Sequence, residues 1–188
     1  MTRALVFCAA LLSCPTARAD SVAMRAPLPG RGLVVELGFP ATEIGFWFTG
    51  WIGLAVHARL PFSAIGTEIA LRRTFAGDPK SGFGLEGLIA FGLDLPLVSP
   101  GFVATATGSL AGRYFAPSWF LQIAATTPAA FRLTDPTEAR IPILAEVWVG
   151  GRAQAMWIGV HLAGGVTLVP PQRPSPAMQL GLAMGLEL

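Results

Sequence analysis

His57 and His161 are the residues best suited to acid–base or metal chemistry in this chain of 188 residues. Neither has a second His, a Cys or a carboxylate at ligand spacing beside it. Both are therefore assigned to polar packing rather than to a metal or a catalytic base. Ser63, Ser81, Ser99, Ser109, Ser118 and Ser175 fall mostly in turn-like segments. None sits in a nucleophile elbow, so no activated serine is expected. The glycine-rich stretches "GDPKSG" (Gly77–Gly82) and "GFGLEG" (Gly82–Gly87) lack the spacing and the following helix of a phosphate-binding loop, and read as turn chemistry. The sequence thus predicts no catalytic residue, no cofactor and no metal site, and the chain is read as non-enzymatic. Its remaining chemistry is charge pairing. Glu36, Glu68, Glu86, Glu146 and Glu187, with Arg59, Arg72 and Arg113, lie inside apolar runs, as do both histidines. Each occupies the small-residue side of a two-residue alternation. Charges taken out of water are tolerated when paired and hydrogen-bonded, and the arginine fork suits a carboxylate. These ten residues are predicted to form one interior network.

The elements that must position them are strands. "GLVVELGF" (Gly32–Phe39) puts Leu33, Val35, Leu37 and Phe39 on one face and Glu36 on the other. "PATE" (Pro40–Glu43) reads as a turn, followed by the long run Ile44–Leu60. Further alternating runs cover Ala64–Phe75, Phe83–Leu95, Phe102–Phe115, Trp119–Thr126, Ile141–Gly150 and Ala153–Leu168. The chain closes on "QLGLAMGLEL" (Gln179–Leu188), with leucine and Met184 on one face and small residues and Glu187 on the other. Thr127–Arg140, which contains Arg132, Asp135, Glu138 and Arg140, reads as the longest loop, largely solvated. Val169–Pro176 is a second loop, and Gly150–Arg152 a tight turn between them. Nine runs result, whereas single-chain bacterial barrels have even strand numbers. About eight strands are preferred; ten follow if Ile44–Leu60 is a hairpin bent at Thr49-Gly50.

Composition says what surrounds these strands. Only 13% of residues are charged while 53% are apolar, about half the charge usual in soluble domains. Gly (22) and Pro (16) resist helices, yet the apolar excess must be buried. Within a bilayer only helices and closed barrels satisfy every backbone group, so a membrane-embedded antiparallel up-and-down β-barrel meets both demands. Helical spans fit poorly, because glycine, proline and charge recur at strand spacing. The first 19 residues read as a signal peptide: Arg3, the apolar "ALVFCAALLSC", and "ARA" (Ala17–Ala19) before Asp20. The rival is lipoprotein processing at Cys14. Residues 20–30 read as an extended N-terminal segment and 31–188 as the barrel. Cys8 and Cys14 both fall in the leader, so the mature chain offers no disulfide, thiolate metal site or cysteine nucleophile. Without Arg3 and Arg18 it carries eleven charges of each sign, so no basic field draws nucleic acid.

Polarity decides which face looks where. A small soluble lipid carrier turns its apolar face inward and a polar face to water. Here the non-apolar faces are mostly Gly, Ala and Thr, and the single lysine, Lys80, lies in a turn. The apolar face is therefore assigned to lipid and the small face to a crowded lumen. Trp47, Trp51, Trp148 and Trp157 fall on the inward parity and are predicted to pack the lumen. Trp119 and Tyr114 suit an interfacial girdle.

The signal peptide, the strand rhythm and the apolar terminal strand together resemble small bacterial outer-membrane β-barrel proteins. That resemblance covers nearly the whole mature chain. It implies residence in the outer membrane of a Gram-negative cell, outer-membrane lipid as a partner, and handling by a barrel-assembly machinery, with a structural, adhesive or narrow-pore role. The family's assembly signal usually ends in an aromatic residue, and this chain departs from it at Leu188. No ligand is indicated. The alternative is a periplasmic or membrane-associated barrel that binds a lipid or other apolar ligand inside.

Overall fold

The computed structural model describes residues 25–27, 30–39, 41–59, 63–78, 80–97, 101–133, 138–169 and 173–188. The expected signal peptide, Cys8, Cys14 and Asp135 lie outside the described residues. Ten strands alternate inward and outward: β1 (Gly32–Phe39), β2 (Ala41–Trp47), β3 (Ile52–Arg59), β4 (Ala64–Gly77), β5 (Gly82–Pro96), β6 (Val103–Phe115), β7 (Trp119–Arg132), β8 (Glu138–Ala153), β9 (Met156–Leu168) and β10 (Ser175–Glu187). Each pairs antiparallel with its sequence neighbours. β10 returns to β1 from Gly32↔Glu187 to Phe39↔Leu180 and closes the barrel. Closure leaves no sheet edge, the condition a membrane imposes on strands. Followed around the wall from Gly32, the register returns to β1 about 12 residues away, a stagger that tilts ten strands by roughly 40°.

Ten strands, the second of the two expected counts, arise because Ile44–Leu60 is a hairpin. Thr49 bends it: its hydroxyl oxygen accepts from the backbone N–H of Trp51 at 3.3 Å and of Ile52 at 3.0 Å. Trp51 is left on the turn and 57% exposed, so it does not join the lumen packing predicted for it. "PATE" is not a turn beyond position 40, since Ala41, Thr42 and Glu43 already pair with β3. The long loop expected at Thr127–Arg140 is also mostly strand. β7 continues to Arg132 and β8 starts at Glu138. The tight turn moves from Gly150–Arg152 to Gln154-Ala155, where Gln154 takes a φ of 53°.

Pro128 and Pro142 stand opposite one another in the β7–β8 ladder. The pairing lapses there, between Thr126↔Leu144 and Ala130↔Arg140. Neither proline has an N–H to exchange, so the gap follows from residue type.

The barrel has two unlike ends. One gathers Gly32, Glu187 and the turns at 48–51, 78–81, 116–118 and 154–155; the other carries the connections at 40, 60–63, 97–102, 133–137 and 169–174. In the turn after β4, the Lys80 backbone N–H (2.8 Å) and the Ser81 hydroxyl (2.7 Å) donate to Asp78 and hold its carboxyl below the ordinary carboxylate range.

The wall is turned out as its polarity demands. Leu37, Ile69, Phe91, Ile123, Val147, Leu162 and Leu182 are exposed on the outside, while Trp47, Trp148 and Trp157 are buried inside. Tyr114 and Trp119 lie side by side on the outside near the 116–118 turn, ring centres 5.4 Å apart. The uncharged run Met156–Leu168 is strand β9. Among the described residues no helix is long and apolar enough to cross a membrane.

Candidate functional site

The interior holds the chain's polar chemistry. Strand parity carries Glu36 of β1, His57 of β3, Glu68 and Arg72 of β4, Glu86 of β5, Arg113 of β6, Glu146 of β8 and His161 of β9 into the lumen, and all are buried. Glu187 differs. It sits at the rim with a quarter of its side chain exposed, 3.8 Å from Arg152. Arg59 ends β3, and its side chain lies outside what is described.

Three groups form. Nearest the end that gathers Gly32 and Glu187, Glu86 Oε2 lies 2.8 Å from Arg113 Nη2 and 3.5 Å from Arg72 Nε. The Arg72 guanidinium lies 4.1 Å over the Trp47 ring and donates to the Gly50 and Gly30 carbonyls. One carboxylate thus serves two buried cations, and an aromatic face helps hold one of them.

The second group surrounds Arg25, which precedes the barrel. Its Nη1 lies 2.6 Å from Glu146 Oε1, and its Nη2 donates to Gln179 Oε1 at 3.0 Å. Gln122 Nε2 donates to the Arg25 carbonyl at 2.9 Å. His161 stacks on Trp148, centres 4.4 Å apart, with Nδ1 3.4 Å from Glu36 and Nε2 3.8 Å from Glu146. The third group is a pair, His57 Nε2 to Asp94 Oδ1 at 2.8 Å. Glycine makes room for it, because a Cβ at Gly66 would collide with both side chains. Replacing Gly66 with valine is expected to cost about 1–3 kcal/mol by overpacking. Chemical unfolding of the purified barrel checks this, and an unchanged midpoint would contradict the tight fit.

The barrel is closed and antiparallel, apolar outside and charged within. No family model matches the chain, and no curated protein matches it. Among solved structures, the chain is similar to the KdgM porin in complex with disordered oligogalacturonate, with 11% sequence identity and a TM-score of 0.38. The match covers 85% of this chain and 99% of that one.

Arg25, Glu43, Asp94, Gln122 and Gln179 are also buried in the interior, beyond the ten residues that the sequence analysis assigns to the network. Asp94 shares the parity of Glu86 and could have been found by extending it. Glu43 is concealed by the apparent turn at Pro40, and Arg25 lies outside any alternating run. Among the described residues no group of three His, Cys, Asp or Glu is placed to hold a metal ion. His57 and Asp94 have the base-and-orienter half of a hydrolytic triad, but both are buried. The described serines sit at the turns and strand ends, apart from Ser109, whose hydroxyl is engaged by Thr126 at 2.9 Å.

Proposed function

We propose that this chain is a non-enzymatic outer-membrane β-barrel whose lumen is closed by its own side chains and by residues 25–27, and whose role is structural or adhesive at the surface. The observation that carries this reading is the inverted polarity of the wall. Leucine, isoleucine, valine and phenylalanine cover the outside, while six carboxylates and three guanidiniums are buried among the described residues. A water-filled outside would leave that apolar surface unsatisfied, whereas lipid accepts it. The apolar-ligand carrier needs the opposite arrangement and finds no support in an interior of Glu, Arg, Gln and His. The turns at one end are short, and most connections at the other are longer. By the usual barrel pattern the end with Gly32 and Glu187 then faces the periplasm and the longer loops the exterior.

A plugged barrel should be electrically quiet. The purified mature protein, reconstituted in a planar bilayer, is expected to insert without stepwise current. Regular open-channel steps from the unmodified protein would replace the closed reading with a narrow pore. The eight buried lumen residues named from the sequence, with Arg25, would then line the path rather than block it.

A further inference from the structure

The Arg25 guanidinium occupies a place built on the wall. Its partners come from β7, β8 and β10, and only its own attachment comes from the segment ahead of β1. Charge explains the fit. Arg72 and Arg113 are committed to Glu86. Glu36, Glu43, Glu68, Asp94 and Glu146 line the remaining interior, where Arg25 is the one buried guanidinium among the described residues. The place also has unmet capacity. Two acceptors, Glu36 Oε2 and Gln122 Oε1, have no hydrogen-bond partner among the described residues, although their residues are at most 2% exposed. A buried polar atom without a partner costs roughly 1–3 kcal/mol, so such a lining favours a ligand that offers several donors and a positive charge. A planar guanidinium meets that requirement better than a sodium ion, because its donors diverge in a fixed fork.

We propose that Glu146, Glu36, Gln122 and Gln179 form a binding site for guanidinium-class cations in the lumen, and that Arg25 is its built-in occupant. Glu146 supplies the carboxylate that faces the cation, as it faces Arg25 Nη1. Gln179 accepts from a second guanidinium nitrogen, and Gln122 anchors whatever carbonyl accompanies the cation. Glu36 holds the rear of the site through His161 and adds negative potential. When Arg25 occupies the site, the segment carrying it closes the barrel. An external guanidinium competes only after Arg25 has been removed or displaced. The site itself rests on the closed barrel with a polar interior. Only its bearing on conductance rests on the membrane reading above.

The test is chemical rescue with methylguanidinium. Arg25→Ala vacates the site, Arg25→Lys keeps a cation in it, and Arg25→Ala with Glu146→Gln removes its main anion. In detergent, about 10 mM methylguanidinium is expected to raise the unfolding midpoint of Arg25→Ala by about 2–4 °C. Wild type, Arg25→Lys and the double variant should not respond, nor should Arg25→Ala respond to sodium chloride at equal ionic strength. In a planar bilayer Arg25→Ala is expected to pass cations over anions by about tenfold and to be blocked by methylguanidinium at about 1–10 mM. Equal shifts in wild type and Arg25→Ala, or equal shifts with sodium, would overturn the site. So would a folded Arg25→Ala that shows no response in detergent. A protein that shows the thermal response but never enters a bilayer would leave the site standing and remove the outer-membrane reading instead.

Discussion

Replacing Glu86 by alanine is expected to destabilise the barrel by about 3–5 kcal/mol, among the largest effects of any single polar substitution in this chain. Glu86 lies between Arg72 and Arg113, and the side chains of both are at most 2% exposed. Its removal leaves two buried like charges facing a vacancy. Arg72 retains the Trp47 face and two backbone carbonyls, which do not neutralise it. Glu86→Gln keeps an acceptor and should fall between the two states. Asp78→Asn, on an exposed turn, serves as the surface control. Equilibrium unfolding in denaturant, followed in lipid vesicles, reads all three. A loss below about 1 kcal/mol for Glu86→Ala would mean that the two arginines reach water or another anion.

The second large effect lies on the opposite face of the wall. Leu162 is mid-strand in β9 and half exposed, pointing away from the lumen. If lipid surrounds it, Leu162→Arg should cost about 2–4 kcal/mol, because a guanidinium near the bilayer midplane must be solvated from a distance. Met156, the first residue of the strand and also exposed, should tolerate arginine at about 0–1 kcal/mol. In a water-soluble barrel the two substitutions would both be nearly neutral. The depth dependence is therefore a signature of the bilayer, and unfolding in vesicles of defined composition measures it.

How much of this was legible in the sequence depended on whether a residue's fate is local. Strand parity is local. A slip of one residue moves every side chain to the other face, so a run such as Leu33–Phe39 places Glu36 inside without knowledge of its partner. The same reasoning carried Glu146 and His161 inward from opposite sides of one turn. It failed at Trp51, whose parity is correct but whose strand ends first, at a bend made by a single threonine hydroxyl. It failed at Glu43, because proline and polar residues resemble a turn even where only position 40 separates two strands. Arg25 was not legible at all. Its partners Gln122, Glu146 and Gln179 lie far along the chain and meet it only once the barrel is closed. Long-range pairing of this kind leaves no periodic trace.

The alternating pattern specifies a wall, and the charges specify what fills it. Whether that wall sits in a membrane is the claim on which the rest depends. Cell fractionation, followed by gel electrophoresis of unboiled and boiled samples, tests it most directly. The account predicts that the mature protein stays with the outer membrane through a high-salt wash. It should also resist detergent without boiling and change its mobility once boiled. Recovery as a freely soluble periplasmic protein, with the same mobility before and after boiling, would contradict it.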